Sequence, residues 1–291
     1  MEGMLATGML EIDAQTRLYG LIGHPLTETF SPRLHNAALA AAGLNGVYLA
    51  LPTAPERLAE AIAAMRTWPL GGLNVTVPHK VAVMPLLDAI TPAAARIGAV
   101  NTIAREGDRL IGHNTDHLGF GAMLAGLAVP ERAVILGAGG SSRAVAFALA
   151  RAGVRAVTFA VRRPGASHAV VAALALPEVA WHEAAFGSPE LEAALAAAGW
   201  LVNTTPVGMG ADASPLEARA LARLPRGAVV LDLVTHPAET SLMRRARARG
   251  LMARNGRAML AAQAAAAFAI WTGVDVPEAV WSDALRGILD S

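Results

Sequence analysis

The sequence predicts a two-domain α/β protein, and three observations lead there: the chain length, an alternation of strand-like and helical runs, and a glycine turn near Gly137 that opens a second series of such runs. At 291 residues and 29.9 kDa, the chain can bury a large core and favours two domains of ordinary size over one small module.

In the first section, from about Leu18 to Asp116, Tyr19 to Gly23 reads as a short strand. Pro32 to Leu44 reads as a helix entered from Ser31, whose hydroxyl is expected to cap the first turn. Tyr48 to Leu51 is a second strand, Pro55 to Met65 a helix, and Gly72 to Val77 a third strand stopped by Pro78. This β-α-β-α-β order implies a parallel sheet covered by helices. Polar residues just beyond its strand ends then lie where open α/β sheets bind ligands.

The second section begins near His117. Ala133 to Leu136 is a buried-type strand that runs into Gly137-Ala138-Gly139-Gly140 and a helix reaching about Ala152. Val157 to Val161, Trp200 to Asn203 and Val229 to Leu233 are further strands, and Ser241 to Arg249 is helical. Gly256 to Trp271 has the length of a long helix, expected to return to the first domain. The expected division is therefore residues 12–116 with 256–291 in one domain and 117–255 in the other, with a ligand cleft between them.

Composition narrows the function. The absence of cysteine excludes disulfides, thiolate metal sites and a cysteine nucleophile, and points to the cytoplasm. A net charge of +1 with 16% charged residues gives no broad basic face for nucleic acid. Apolar runs are interrupted before the roughly 20 residues that cross a bilayer. Met1 to Leu10 lacks the basic and apolar segments of a secretory signal and reads as a frayed end. The histidines form no H-E-x-x-H pattern, so no metal is expected, and no G-x-S-x-G elbow supports serine hydrolysis.

Of 24 basic residues, Lys80 alone is lysine. Arginine serves a solvated face as well as lysine, but guanidinium cannot exchange a proton near neutral pH. An ordinary surface amine is the competing role, and the single-lysine composition weighs against it. Asn74-Val75-Thr76-Val77-Pro78-His79-Lys80 delivers Asn74, Thr76 and Lys80 near a strand end. Gly98 to Thr102 and Gly112 to Asp116 add amides, hydroxyls and a carboxylate, which serve either as turn stabilisers or, through Asp116, to orient Lys80. The turn Gly137 to Gly140 suits a pyrophosphate at a helix start, although Ser142 replaces the third glycine of G-x-G-x-x-G and a plain strand-to-helix turn competes. Arg162-Arg163 ends the next strand where an NAD site places a carboxylate; two guanidinium groups suit the 2'-phosphate of NADP, or else form a solvated pair.

From Ile22 to Gly273 these motifs together resemble the shikimate dehydrogenase family. The matching segments are Gly23-His24-Pro25-Leu26 with Ser31-Pro32 and His35-Asn36, Asn74 to Lys80, Gly98 to Thr102, Gly112 to Asp116, Gly137 to Gly140, Asn203 to Met209, and Gly256 with Met259-Leu260 and Gln263. The resemblance implies a substrate domain built from both ends of the chain around a Rossmann-like NADP domain. It implies Lys80 as the principal catalytic residue with Asp116 beside it. Substrate contacts are implied at Asn101 and Gln263, and further at Thr29, Ser31, Thr76 and Thr235. Cofactor contacts are implied at Gly137, Ala138, Gly139, Gly140 and Ser141 for the pyrophosphate and at Arg162 and Arg163 for the 2'-phosphate. Thr205, Met209, Gly256 and Met259 complete that set, Met259 on the nicotinamide side. The implied reaction, within aromatic amino acid biosynthesis, is the reversible reduction of 3-dehydroshikimate, a small cyclic hydroxy acid, by a monomer or homodimer.

Three positions depart from the family pattern: Thr29 stands for the first of two serines, Thr235 for a tyrosine and His117 for a glycine. They leave quinate or a related cyclic hydroxy acid as the alternative substrate, and a noncatalytic nucleotide-binding or regulatory protein as the alternative to an enzyme.

Overall fold

Two six-stranded sheets organise the chain in a computed structural model that describes residues 12–26, 29–68 and 70–289. Met1 to Leu10, expected as a frayed end, lie outside the described residues.

The first section runs β1 (Arg17–Gly23), α1 (Ser31–Ala41), β2 (Gly46–Pro52), α2 (Leu58–Thr67), β3 (Leu70–Val75), α3 (His79–Ala82), β4 (Ala89–Ile90), α4 (Pro92–Ile97), β5 (Thr102–Glu106), β6 (Arg109–His113) and α5 (Asp116–Leu124). Its sheet order is β2-β1-β3-β5-β6-β4. The expected parallel pairing holds for β1 with β2 and β3, where Ile22 faces Leu51 on one side and Val75 on the other. The rest of the sheet is mixed, which corrects the all-parallel expectation: β5 runs antiparallel to both β3 and β6. The cause is the tight Glu106-Gly107-Asp108-Arg109 connection, with Gly107 at φ 62°, because a parallel pair needs a crossover of a dozen residues or so and a hairpin does not.

Two local expectations also change. Ser31 is already the first helical residue, with Phe30 at the capping position and no side-chain cap, so its hydroxyl is one residue too late to serve the first turn. Instead Thr29 Oγ1 accepts from the Ser31 N–H at 3.3 Å. Strand β3 ends at Val75 because the Thr76 carbonyl accepts from the His79 N–H at 2.8 Å and starts the turn into α3.

The second section runs β7 (Arg132–Leu136), α6 (Gly140–Ala152), β8 (Ala156–Val161), α7 (His168–Leu174), β9 (Ala180–Ala185), α8 (Pro189–Ala197), β10 (Trp200–Asn203), α9 (Ala218–Leu221), β11 (Val229–Asp232), α10 (Ser241–Ala248) and β12 (Met252–Arg254). All its pairings are parallel, in the order β12-β11-β10-β7-β8-β9. The chain reverses direction across the sheet between β7 and β10, the point where doubly wound sheets open a crevice at their strand ends.

The last helices, α11 (Arg257–Thr272) and α12 (Glu278–Leu289), return to the first sheet. Phe268, Trp271 and Trp281 join Tyr19, Leu34 and Tyr48 in one core, and Trp271 Nε1 donates to the Ile103 carbonyl of β5 at 3.0 Å. Burying Phe268 alone contributes roughly 1.5–3 kcal/mol. Helix α11 also runs against α5, and Gly119 sets how close they come: a Cβ there would lie 2.6 Å from the Met259 carbonyl oxygen and 2.9 Å from Gln263 Cβ. Among the described residues no helix is long and apolar enough to cross a membrane.

His35 lies inside this aromatic core, stacked on Tyr48 with ring centroids 4.3 Å apart and edge-on to Trp281. Burial pushes its pKa down from 6.5 to about 3, with Asn74 pulling the other way. The unfolded chain therefore binds a proton at this position between about pH 6.5 and 3 while the folded chain does not, so this histidine costs stability as the pH falls through that window. Urea unfolding of wild type and His35→Phe should show a stability difference that moves against wild type by about 1.4 kcal/mol per pH unit below pH 6.5. A difference that stays flat from pH 7 to 4 would contradict the burial of a neutral imidazole.

Candidate active site

The turn from β3 into α3 delivers Lys80 from the first sheet. It is pinned on both sides: the Val100 N–H donates to the Lys80 carbonyl at 2.8 Å, and the neighbouring His79 ring bonds the Thr53 carbonyl at 2.7 Å. Asp116 opens α5, where the helix dipole favours a carboxylate. Lys80 Nζ donates to Asp116 Oδ2 at 2.6 Å, with the two side chains only 12% and 8% exposed. Asn101 Nδ2 donates to the other carboxylate oxygen at 2.8 Å.

The pair faces the second section. Lys80 Cδ lies 3.8 Å from the point a Cβ on Gly140 would occupy, so the lysine stem reaches the glycine turn across the gap. Two further contacts bring the sections together. The ring of His117 meets that of Phe147 on α6 edge-on at 5.3 Å, and Gly98 sits beside Arg143 and Ala173. Burial lowers the His117 pKa, opposed by its hydrogen bond with Asn114 and by the Asp116 charge.

At the switch point lies a cleft of about 280 Å³ lined by Gly137, Ala138, Gly139, Val161, Arg162, Arg163, Ala166, Phe186, Thr204, Thr205 and Pro206. Gly137 adopts φ 95°, and a Cβ there would stand 3.0 Å from Thr205 Cγ2, so glycine keeps the floor of the cleft open. Asn203 shapes the facing turn: its Oδ1 accepts from the Thr205 N–H at 3.0 Å and hydroxyl at 2.7 Å, while its Nδ2 donates to buried Asp232 at 2.9 Å. Arg162 and Arg163 are exposed and form no ion pair with a carboxylate among the described residues. A bare glycine turn at a helix start and two available guanidinium groups fit a dinucleotide carrying an extra phosphate.

Glu183 of β9 holds the loop behind those arginines. Its carboxylate accepts from the Gly165 N–H at 2.6 Å, the Ser167 N–H at 2.9 Å and the Ser167 hydroxyl at 2.5 Å. Burial would raise its pKa, but these bonds prevail and hold it below the usual range.

Of the residues singled out from sequence, Lys80, Asp116 and Asn101 form one bonded group, and Gly137, Ala138, Gly139, Arg162, Arg163 and Thr205 share one cleft. Gly140 faces the lysine instead. Thr76 packs against Gly23, while Gln263 and Met259 meet α5 at Gly119, one turn beyond Asp116. Among the described residues no hydrogen bond joins Thr29, Ser31, Thr76, Thr235 or Gln263 to the Lys80–Asp116 pair; Gln263 Nε2 donates to the Leu260 carbonyl at 3.1 Å. Ser141 is half-buried in the first turn of α6, and Met209 is exposed outside the cleft. Gly256 has a packing reason, since a Cβ there would lie 2.2 Å from the Leu233 carbonyl oxygen. The sequence reading did not find Phe186, which follows β9, because in Ala180-Trp181-His182-Glu183-Ala184-Ala185 the alanines and Glu183 mask the strand alternation. Nor did it find the pinning role of Thr102 and Thr115, whose signal, two hydroxyls inside the asparagine motifs, also suits ordinary turns.

A switch-point cleft for a dinucleotide, opposed by a lysine and carboxylate from a second domain, defines a two-domain nucleotide-dependent oxidoreductase. Residues 21–103 match the shikimate dehydrogenase substrate binding domain and residues 256–286 the shikimate 5'-dehydrogenase C-terminal domain. The chain is 45% identical to a shikimate dehydrogenase (NADP(+)) of Symbiobacterium thermophilum, covering 93% of this chain and 95% of that one. It is 44% identical to one of Moorella thermoacetica over 96% of this chain and 95% of the other. The solved structure of the Thermus thermophilus shikimate 5-dehydrogenase in complex with NADP(H) and shikimate superposes with a TM-score of 0.82 at 37% identity, covering 94% of this chain and 99% of that one. The chain belongs to the shikimate dehydrogenase family.

Replacing Glu183 by Gln removes the charge that holds the Arg162–Arg163 loop. Hydrogen exchange at the Gly165 and Ser167 amides should then quicken about tenfold or more, by the loss of charge-assisted bonds. Unchanged protection at both amides would show that the loop is held by something else.

Proposed function

We propose that the chain catalyses the reversible NADP-linked reduction of 3-dehydroshikimate to shikimate, with residues 12–116 and 256–291 as the substrate domain and 117–255 as the NADP domain. The observation that carries this reading is the single lysine, held by a carboxylate 2.6 Å away and turned toward the glycine turn of the other domain. Its cysteine-free composition supports a cytoplasmic enzyme, which in this reading works as a monomer or homodimer.

Bound NADPH supplies the hydride. The chain supplies the rest. Lys80 Nζ donates a proton to the carbonyl oxygen as that oxygen becomes anionic, where a fixed positive charge lowers the barrier most. Asp116 holds Lys80 in line and accepts from the neighbouring substrate hydroxyl. Asn101, Thr76 and Gln263 bind the remaining hydroxyls, and Thr29 and Ser31 donate to the substrate carboxylate. Thr235 offers a short side chain where the family carries a tyrosine, which supports quinate or a related cyclic hydroxy acid as a second substrate. Arg162 and Arg163 hold the 2'-phosphate, Gly137 to Ser141 the pyrophosphate, and Thr205, Met209, Gly256 and Met259 line the path to the nicotinamide. Closure of the two domains excludes water and aligns the reacting atoms.

NADP-linked oxidation of shikimate, measured beside quinate and NAD, tests the reading. Wild type should turn over shikimate with NADP, and Lys80→Ala should lose a factor on the order of 10²–10⁴, the range for a positioned proton donor. Undetectable turnover of both substrates by wild type would overturn the assignment. Arg162→Ala should raise the KM for NADP roughly tenfold or more, the worth of a charge-assisted bond, and leave that for NAD nearly unchanged. Equal effects on both cofactors would remove the phosphate role.

A further inference from the structure

Behind the Lys80–Asp116 pair a file of buried side chains runs back to the aromatic core. The Tyr48 hydroxyl donates to Asn74 Oδ1 at 2.7 Å, and Asn74 Nδ2 donates to Thr102 Oγ1 at 3.1 Å. The Thr102 hydroxyl donates to Asn101 Oδ1 at 3.0 Å, Asn101 Nδ2 to Asp116 Oδ1 at 2.8 Å, and Lys80 closes the file on Asp116 Oδ2. Tyr48, Asn74, Asn101, Thr102 and Asp116 are all buried.

Groups that have no choice of role fix the direction of this file. The Asn101 carbonyl can only accept, so the Asn74 atom 3.3 Å from it is the amide nitrogen. The Thr115 N–H can only donate, so the Asn101 atom 2.7 Å from it is the amide oxygen. Thr102, which accepts from Asn74, gives its own proton to Asn101 Oδ1 at 3.0 Å, the nearer of two acceptors, with the Thr115 hydroxyl at 3.3 Å. The bonds of the file therefore run toward the carboxylate and each polarises the next, while Asn101 Nδ2 also donates sideways to the Thr115 hydroxyl at 3.0 Å.

We propose that Thr102 is a positioning residue for the reaction, with Asn74 and Tyr48 behind it: beside the Thr115 N–H, its hydroxyl is the second donor that holds the Asn101 amide oxygen, so that the NH₂ group faces Asp116. With one donor fewer on its oxygen, the amide is held less firmly and its NH₂ group sits less squarely on the carboxylate. Asp116 then loses a donor and holds Lys80 less well. The titratable neighbours of Asp116 are Lys80 on α3 and His117 on α5, with Arg151 bearing on His117. The β5 side presents uncharged Asn101 and Thr102, and α11 presents Met259 and Gln263 toward α5.

The role rests on the reading of Lys80 and Asp116 given above, and the test separates the two. Thr102→Val keeps the shape and removes the hydroxyl, while Thr102→Ser restores it. Thr102→Val should lower kcat about tenfold, the worth of one buried hydrogen bond, and leave the KM for NADP unchanged. Thr102→Ser should return kcat to wild type, and Tyr48→Phe should lower it by less. A Thr102→Val protein that melts lower but keeps the wild-type kcat would overturn the proposal, leaving Thr102 as core packing alone. If that variant does not fold, the kcat of Tyr48→Phe decides, lowered in support or unchanged against. Full turnover by Lys80→Ala would remove the underlying reading; an inactive Lys80→Ala beside a wild-type kcat for Thr102→Val removes only the role of Thr102.

Discussion

The partly buried ion pair between Lys80 and Asp116 is the constraint on which the arrangement of this molecule depends. Taking two charges out of water costs several kcal/mol per ion, and their attraction offsets that only with close geometry and further hydrogen bonds. The structure meets both conditions. The ammonium and carboxylate are 2.6 Å apart, the second carboxylate oxygen accepts from Asn101, and the carboxylate sits at the start of α5. A pair so placed is poor evidence for stability and good evidence for chemistry, because well-packed apolar residues would stabilise the same spot at less cost.

The fold explains how that spot is reached. Lys80 comes from the end of the parallel part of the first sheet, and Asp116 from the helix that follows its hairpin. The two meet because β5 and β6 turn back beside β3, which brings Asn101 and Asp116 to the same edge as Lys80. The second sheet contributes a switch point, and the glycine turn there faces the lysine across the gap. Helix α11 ties the arrangement together. It leaves the second sheet at Gly256, passes α5 at Gly119 and ends in the aromatic core of the first sheet.

Much of this was legible in the residues, for physical reasons that can be named. Lys80 stood out because no other lysine competed with it, and the glycine turn because a strand and a helix flank it. The parallel core strands were legible because their runs are apolar and bounded by glycine or proline. The hairpin of β5 and β6 was not. Arg105, Glu106, Asp108 and Arg109 give its turn a polar composition like any loop, and its pairing partner lies some thirty residues back, on β3. Strand β9 was hidden because its alternation is masked by alanine and by Glu183, a charged residue turned inward to hold a loop. Within the site, residue types announced amides and hydroxyls, but the direction of each hydrogen bond is set by backbone groups that only the folded chain brings close, such as the Thr115 N–H against Asn101.

Chemical rescue probes the role of the Lys80 amine most directly. With Lys80→Ala, NADP-linked shikimate oxidation would be followed while methylamine or ethylamine is added over a range of pH. Turnover should be near background without amine and should climb with its concentration, because a small ammonium ion can occupy the space beside Asp116 and exchange the proton in place of Nζ. Wild-type turnover by Lys80→Ala with no amine present would contradict the assignment of that proton to Lys80.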